Sequence, residues 1–153
     1  MPIDPQLHAS TDDKVALDAL VTRMYAAFCN AGGSLPDLDR LHNLCVPECV
    51  ITKAVEPGAE ASGLHQFIEA RRQLLTDGRL LEFSERETDE RTLIFGNVAS
   101  RWSFYAKSGV LNGVPFQARG IKNLQFVKLA GSWRINALAW DDERTGLTIP
   151  SSL

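Results

Sequence analysis

The apolar residues of this chain change period once. Up to about residue 78 they recur every three or four positions, and from Leu80 onward they alternate with polar ones. A period near 3.6 marks the buried stripe of a helix, and a period of two marks a half-buried strand. Helices gathered first and long consecutive strands afterwards predict an α+β domain, a curved antiparallel sheet wrapped around three N-terminal helices.

In the first half, Ser10, Thr11, Asp12 and Asp13 supply capping side chains and early carboxylates for a helix. Leu17, Leu20, Val21, Met24 and Phe28 form its stripe, and Gly32 and Gly33 end it. Asp37 opens a short second helix with Leu38, Leu41 and Leu44 apolar, stopped by Pro47. A short strand is expected over 49–55, turned out by Glu56, Pro57 and Gly58. A third helix over 63–75 carries Leu64, Phe67, Ile68, Leu74 and Leu75 on its apolar side. Four strands follow, over 80–95, 97–107, 114–129 and 132–142, punctuated by Gly96, a loop over 108–113, and Gly131. Residues 1–11 and 143–153 read as tails on a single domain covering 12–142.

The last two strands make one long hairpin. Strict alternation puts Lys122, Leu124 and Phe126 on one face with Trp133, Ile135, Ala137, Ala139 and Asp141. That face is apolar with a charge near the outer end of each strand, as a pocket wall requires. Bulky Trp102 and Phe104 are expected on the same side. The opposite face collects Arg101, Ser103, Tyr105, Asn123, Gln125, Val127, Arg134, Asn136, Leu138 and Trp140. Tyr105, Leu138 and Trp140 are too apolar for a freely solvated surface. Together with Gln125 they predict a homodimer through the convex sheet face.

A net charge of −3 argues against a nucleic-acid or anionic-membrane partner, because basic clustering supplies most of such affinity. The only adjacent basic pair, Arg71 and Arg72, fits a solvated helix face. The polar start, MPIDPQLHASTDD, and the absence of a long apolar run predict a cytoplasmic protein with no membrane contact. Cys29, Cys45 and Cys49 form an odd set without CxxC spacing, which favours free thiols over a zinc site or a redox pair. His8, His42 and His65 lack metal-ligand spacing; His8 lies in the N-terminal tail, and His42 fits a satisfied surface or core histidine ahead of one pointing inward from the second helix. No glycine-rich phosphate loop or nucleophile elbow occurs, so neither cofactor nor metal is expected. Glu82, Glu85, Glu87, Asp89 and Glu90 crowd one strand with Arg86 and Arg91, and cross-strand pairs with Arg101 account for them.

Four strings, LVTRMYAAFCNAGG, DLDRLHNLCVPECVITK, GLHQFIEARRQLL and GSWRINALAWDDE, resemble the nuclear transport factor 2-like superfamily in their order and spacing. That superfamily includes ketosteroid isomerases, scytalone dehydratase, limonene epoxide hydrolase and SnoaL-like polyketide cyclases. The resemblance implies a cone-shaped α+β barrel of cystatin-like topology, with a pocket between sheet and helices that serves unrelated chemistries. It also implies that Tyr25 matches the isomerases' oxyanion-donating tyrosine. Their two catalytic aspartates match Lys53 and Lys122. An ordinary ammonium cannot take a carbon-bound proton near neutral pH, so steroid isomerisation is not expected.

The expected function is a small-molecule-binding pocket for an apolar or aromatic ligand that can carry an anion. The alternative is a cofactor-free lyase, isomerase or cyclase acting on a small apolar substrate with an anionic or enolisable group. The candidate pocket residues are Tyr25, Phe28, Lys53, Trp102, Phe104, Lys122, Leu124, Ala139 and Asp141. Tyr25, Lys53, Lys122 and Asp141 are the candidates for chemistry. Lys53 and Lys122 fit an anion clamp, a nucleophile or base with lowered pKa, or side chains snorkelling to solvent. Asp141 fits a general base at the pocket mouth or a surface carboxylate, and Tyr25 a pocket hydroxyl or a core filler.

Overall fold

The structure, a computed structural model, describes residues 11–151. Helix α1 spans Thr11–Ala26 and buries Leu17, Leu20, Val21, Met24 and Tyr25. Two short 3-10 turns, Ala31–Gly33 and Leu38–Arg40, lead to the single-turn helix α2, Leu41–Leu44. Helix α3, Leu64–Thr76, turns Leu64, Ile68 and Leu75 inward. The strands are β1 Cys45–Lys53, β2 Glu60–Gly63, β3 Leu80–Phe95, β4 Val98–Leu111, β5 Val114–Leu129 and β6 Ser132–Asp142.

The six strands form one sheet in the order β2-β1-β6-β5-β4-β3. Every pair is antiparallel except β1 with β6, which run parallel. That pair joins the first strand of the chain to the last, so all the intervening elements make the crossover a parallel pair needs. The strand expected over 49–55 begins earlier, at Cys45, and runs through Pro47 at an irregular stretch between Cys45 and Val50. Strand β2, too short and too polar to show a period, returns along the free edge of β1. The loop expected over 108–113 contracts to a two-residue turn. Asn112 and Gly113 hold φ of 50° and 80° there, matched by 50° and 81° at Ala130 and Gly131. Positive φ at both turn residues gives the twist that suits a tight hairpin.

The inner face is set by register. Ala99, Arg101, Ser103 and Tyr105 of β4 pair with Phe126, Leu124, Lys122 and Gly120 of β5, and all eight are buried. Paired residues share a face, which corrects the expected assignment on β4. Arg101, Ser103 and Tyr105 point inward, while Trp102, 47% exposed, points out. Phe104 alternates with the inward Ser103 and Tyr105 and is buried on the other side, outside the main core cluster.

A bulge makes the second correction. Gln125 pairs with Ala137 but Phe126 pairs with Ile135, so Asn136 is an extra residue in β6. One inserted residue exchanges the faces of everything beyond it. Trp133 and Ile135 therefore point inward as expected, but past Asn136 the inward residues become Leu138, Trp140 and Asp142. Ala139 and Asp141 turn to the outer face. The apolar convex patch expected of Tyr105, Leu138 and Trp140 is not there, because all three lie inside, and only Gln125 remains outside.

The core joins α1 and α3 to this inner face through Leu17, Val21, Met24, Ile68, Leu124, Phe126 and Ile135. Asp13 at the start of α1 anchors the helix to the last hairpin, accepting from Trp133 Nε1 and Lys128 Nζ at 2.9 Å each. No helix among the described residues is long and apolar enough to cross a membrane.

Candidate functional site

Between the helices and the inner sheet face lies a cavity of about 300 Å³. Its walls are mainly apolar: Met24 and Phe28 from α1 and the turn after it, Phe67 and Leu74 from α3, Ile51 from β1, Phe83 from β3, and Leu138 and Trp140 from β6. Six charged side chains also line it, Lys53, Arg71, Glu85, Lys107, Lys122 and Asp142. A volume at the lower end of the ligand-pocket range, with a few polar groups set in apolar walls, suits a small molecule.

Four of these charges form two pairs, and Arg71 and Lys53 are left over. Lys122, 7% exposed, donates to Glu85 Oε2 at 3.1 Å. Its Nζ also sits 4.3 Å, 4.9 Å and 5.4 Å from the ring centroids of Tyr105, Trp140 and Tyr25. Three aromatic rings around an ammonium replace part of its lost hydration. Burial lowers the Lys122 pKa, Glu85 pulls it back up, and Lys107 and Arg71 add to the lowering. Lys107 pairs with Asp142 at 2.9 Å, and the Tyr105 hydroxyl bonds Asp142 as well as the Asp141 carbonyl. Arg71 lies with its guanidinium carbon 5.2 Å from the Phe67 ring and 5.6 Å from Trp140. Among the described residues it has neither an ion pair nor a hydrogen bond, and burial lowers its pKa. Lys53 is exposed at the rim, where β1 ends.

A second polar cluster lies deeper, under α1. Arg101 Nε and Nη2 grip the two oxygens of Glu87, and its Nη1 donates to Asp18 Oδ1 at 2.7 Å and Thr92 Oγ1 at 3.2 Å. Ser103 donates to Glu87, so the Tyr25 hydroxyl, 2.7 Å from Ser103 Oγ, donates to Ser103. The Tyr25 proton is thus committed to the core and not aimed into the cavity. Burial raises its pKa far above the ordinary tyrosine value. Tyr25→Phe is expected to cost about 1 kcal/mol, the net worth of one such hydrogen bond, with ligand binding unchanged. Denaturation and thermal-shift measurements on the same variant check both halves.

Of the residues nominated from sequence, Phe28, Lys53 and Lys122 line the cavity. Tyr25 and Leu124 are buried on the same side but do not reach its surface. Trp102, Phe104, Ala139 and Asp141 lie on the other face of the sheet for the reasons of register given above. His42 and His65 are exposed, and His8 lies outside the described residues. Cys45 and Cys49 are buried free thiols, and Cys45 touches the cavity.

The sequence reading missed Arg71, Glu85, Lys107, Trp140 and Asp142 as lining residues. Arg71 carried a signal: it follows Leu64, Phe67 and Ile68 by seven, four and three positions, on the stripe that faces the core. Its neighbour Arg72 is the outward one of the pair, bonded to Asp39 at 2.6 Å.

No protein-family model matches the sequence, and no curated protein matches it. Solved structures do match. One described as a nuclear transport factor 2-like superfamily protein, from Salmonella enterica serovar Typhimurium, has a TM-score of 0.66 at 17% identity, covering 85% of this chain and 92% of that one. The fold is the nuclear transport factor 2-like one. An uncharacterised cystatin-like protein from Caulobacter vibrioides gives a TM-score of 0.69 at 15% identity, over 88% of this chain and 92% of its own. A cystatin-like protein of unknown function from Nostoc punctiforme gives 0.68 at 12%, over 94% and 96%. Helices packed on one face of a curved sheet, with a cavity between them, are therefore this chain's nuclear transport factor 2-like frame. The sheet is open, not closed into a barrel, with β2 and β3 at its edges.

Proposed function

We propose that the cavity binds a small molecule with an apolar or aromatic body and one anionic group, and that Arg71 receives the anion. The observation that carries this reading is the unpaired guanidinium. Lys122 and Lys107 each have a carboxylate partner inside the cavity, whereas Arg71 lies against two aromatic rings with no hydrogen-bonded acceptor among the described residues and feels Glu85 and Glu60 only at longer range. A guanidinium presents five donors in a planar fork that matches a carboxylate or phosphate. Arg71 is half-buried among apolar walls, so its guanidinium is partly stripped of water, and an anionic ligand offsets that cost. Lys53 at the rim adds a second positive charge on the way in. The aromatic and aliphatic walls supply the apolar contact.

Thermal-shift and calorimetric titrations with benzoate, phenyl phosphate and neutral benzyl alcohol test the proposal. The two anions are expected to stabilise the protein and the alcohol to do so far less. Arg71→Met should weaken benzoate binding about 10- to 150-fold, the equivalent of the 1.5–3 kcal/mol of a charged hydrogen bond. Equal binding of anion and alcohol, or an Arg71→Met variant that binds as wild type does, overturns the reading.

A further inference from the structure

Anion binding at Arg71 leaves the buried amine of Lys122 unexplained. Stability does not account for it, since a buried ion pair of this kind is often no better for stability than apolar residues of the same volume. Geometry does suggest a use. The Lys122 amine lines the cavity, has one carboxylate within proton-transfer distance at 3.1 Å, and is walled by Tyr105, Trp140 and Tyr25. Trp140 is shared: Arg71 and Lys122 both lie against its ring, at 5.6 Å and 4.9 Å from the centroid. Both residues line the same cavity, so a molecule that spans it with a functional group at each end would meet both. The charged groups facing Lys122 are Glu85 from β3, Lys107 from β4 and Arg71 from α3. Burial and the two cations favour a neutral amine, against the rings and Glu85, which favour the ammonium, and Glu85 is placed to take its proton.

We propose that Lys122 is a nucleophile that forms a reversible imine with the carbonyl group of a small oxo-acid, whose carboxylate is held by Arg71. Glu85 takes a proton from the Lys122 ammonium. The neutral amine adds to the carbonyl carbon, and the carbonyl oxygen takes a second proton from the nitrogen to give a carbinolamine. Glu85 returns its proton to the hydroxyl group, which leaves as water while the nitrogen lone pair forms the C=N bond. One ammonium and one carbonyl thus become one protonated imine and one water, with no oxidant or reductant involved. A protonated imine withdraws electrons from the adjacent carbon, the property by which such lysines activate ligands for proton removal or carbon–carbon cleavage.

This inference rests on the anion-site reading, and the experiment separates the two. The wild-type protein is incubated with 4-carboxybenzaldehyde and sodium cyanoborohydride, and adducts are located by intact mass and peptide mapping. In parallel, benzoate binding is followed by thermal shift. A single reduced adduct is expected on Lys122, formed about tenfold or more faster than on any other lysine because the aldehyde is held in place. Benzaldehyde, which lacks the carboxylate, should react more slowly, as should Arg71→Met with the carboxylated probe. Lys122→Arg keeps the charge beside Glu85 but has no primary amine and should lose the adduct. Benzoate binding together with adducts spread over exposed lysines, or with none, overturns the imine and leaves the anion site standing. Failure of both benzoate and the aldehyde to bind overturns both. The wild-type peptide map decides the question even where Lys122→Arg does not fold.

Discussion

Replacing Arg101 with methionine is expected to lower the unfolding free energy by about 2–3 kcal/mol, below the cost of breaking a wholly buried pair because Asp18, Glu87 and Glu90 keep some contact with water. Arg101 is 2% exposed, at the centre of a sheet-to-helix network. It bonds both oxygens of Glu87 on β3, reaches Asp18 on α1, and lies 3.8 Å from Glu90. Methionine fills most of the same space but donates nothing. Glu87, Asp18 and Glu90 would then face one another with only Lys14 left to offset them, bonded at 2.7 Å to both Asp18 and Glu90. Urea unfolding at neutral pH measures the loss, and a drop below about 1 kcal/mol would mean that the network is held from elsewhere.

The same variant should alter acid stability in a defined direction. Burial alone would raise the pKa of Asp18 and Glu90, but bonds from Lys14 to both, from Arg101 to Asp18 and from Thr92 to Glu90 more than offset it, with the Arg101 charge lowering Glu90 too. Both carboxyls lie below their ordinary values of 3.8 and 4.5. A depressed carboxyl pKa gives stability that is present above the unfolded value and is lost as pH falls toward the folded one. Wild type should therefore lose stability on acidification below those ordinary values, and Arg101→Met should lose less over the same interval. Parallel pH profiles for the two proteins would contradict this account of the cluster.

Gly120→Ala is expected to destabilise by about 3 kcal/mol, near the top of the range for overpacking. A Cβ at this position would lie 2.2 Å from the Asp141 carbonyl oxygen and 2.3 Å from the Tyr105 hydroxyl. The first of these is backbone in the adjacent strand and moves only if the β5–β6 ladder opens. The second is a hydroxyl bonded to the Asp141 carbonyl at 3.0 Å and to the Asp142 carboxylate. Relief by swinging Tyr105 away would break those bonds and remove the ring closest to Lys122, at 4.3 Å. The stability loss should therefore come with a change at the amine, seen as slower adduct formation by the carboxylated aldehyde. A variant as stable as wild type would show that the strands can separate at little cost.

Glycine inside a strand is itself a sequence signal of close approach, and Gly120 lies within the strand pattern, second in RGIKN. Other parts of the site were legible in the same way. The helix stripes identified Met24 and Phe28, the strand period placed Leu124 and Phe126 inside, and resemblance singled out Lys53 and Lys122. What misled on β4 was bulk. Trp102 and Phe104 look like core beside Arg101, Ser103 and Tyr105, and a single strand cannot reveal that Asp18 and Glu87 stand ready to satisfy the polar set. On α3 the reading of Arg71 as solvated overlooked its place on the apolar stripe, where two aromatic rings accept it.

By itself the amino-acid sequence determined the class of fold, three helices before a long-stranded sheet, because periodicity is a local property that each segment carries alone. It also determined the turn at Ala130 and Gly131, which act within their own few residues, while the loop expected over 108–113 proved to be only Asn112 and Gly113. Only the tertiary structure decided which side chains face the cavity. The extra residue at Asn136 is visible only against its neighbours: both β1 and β5 shift register at the level of Ile135 and Ala137. That shift exchanges Ala139 and Asp141 for Leu138, Trp140 and Asp142, because strand faces alternate with every residue and one insertion inverts all that follow.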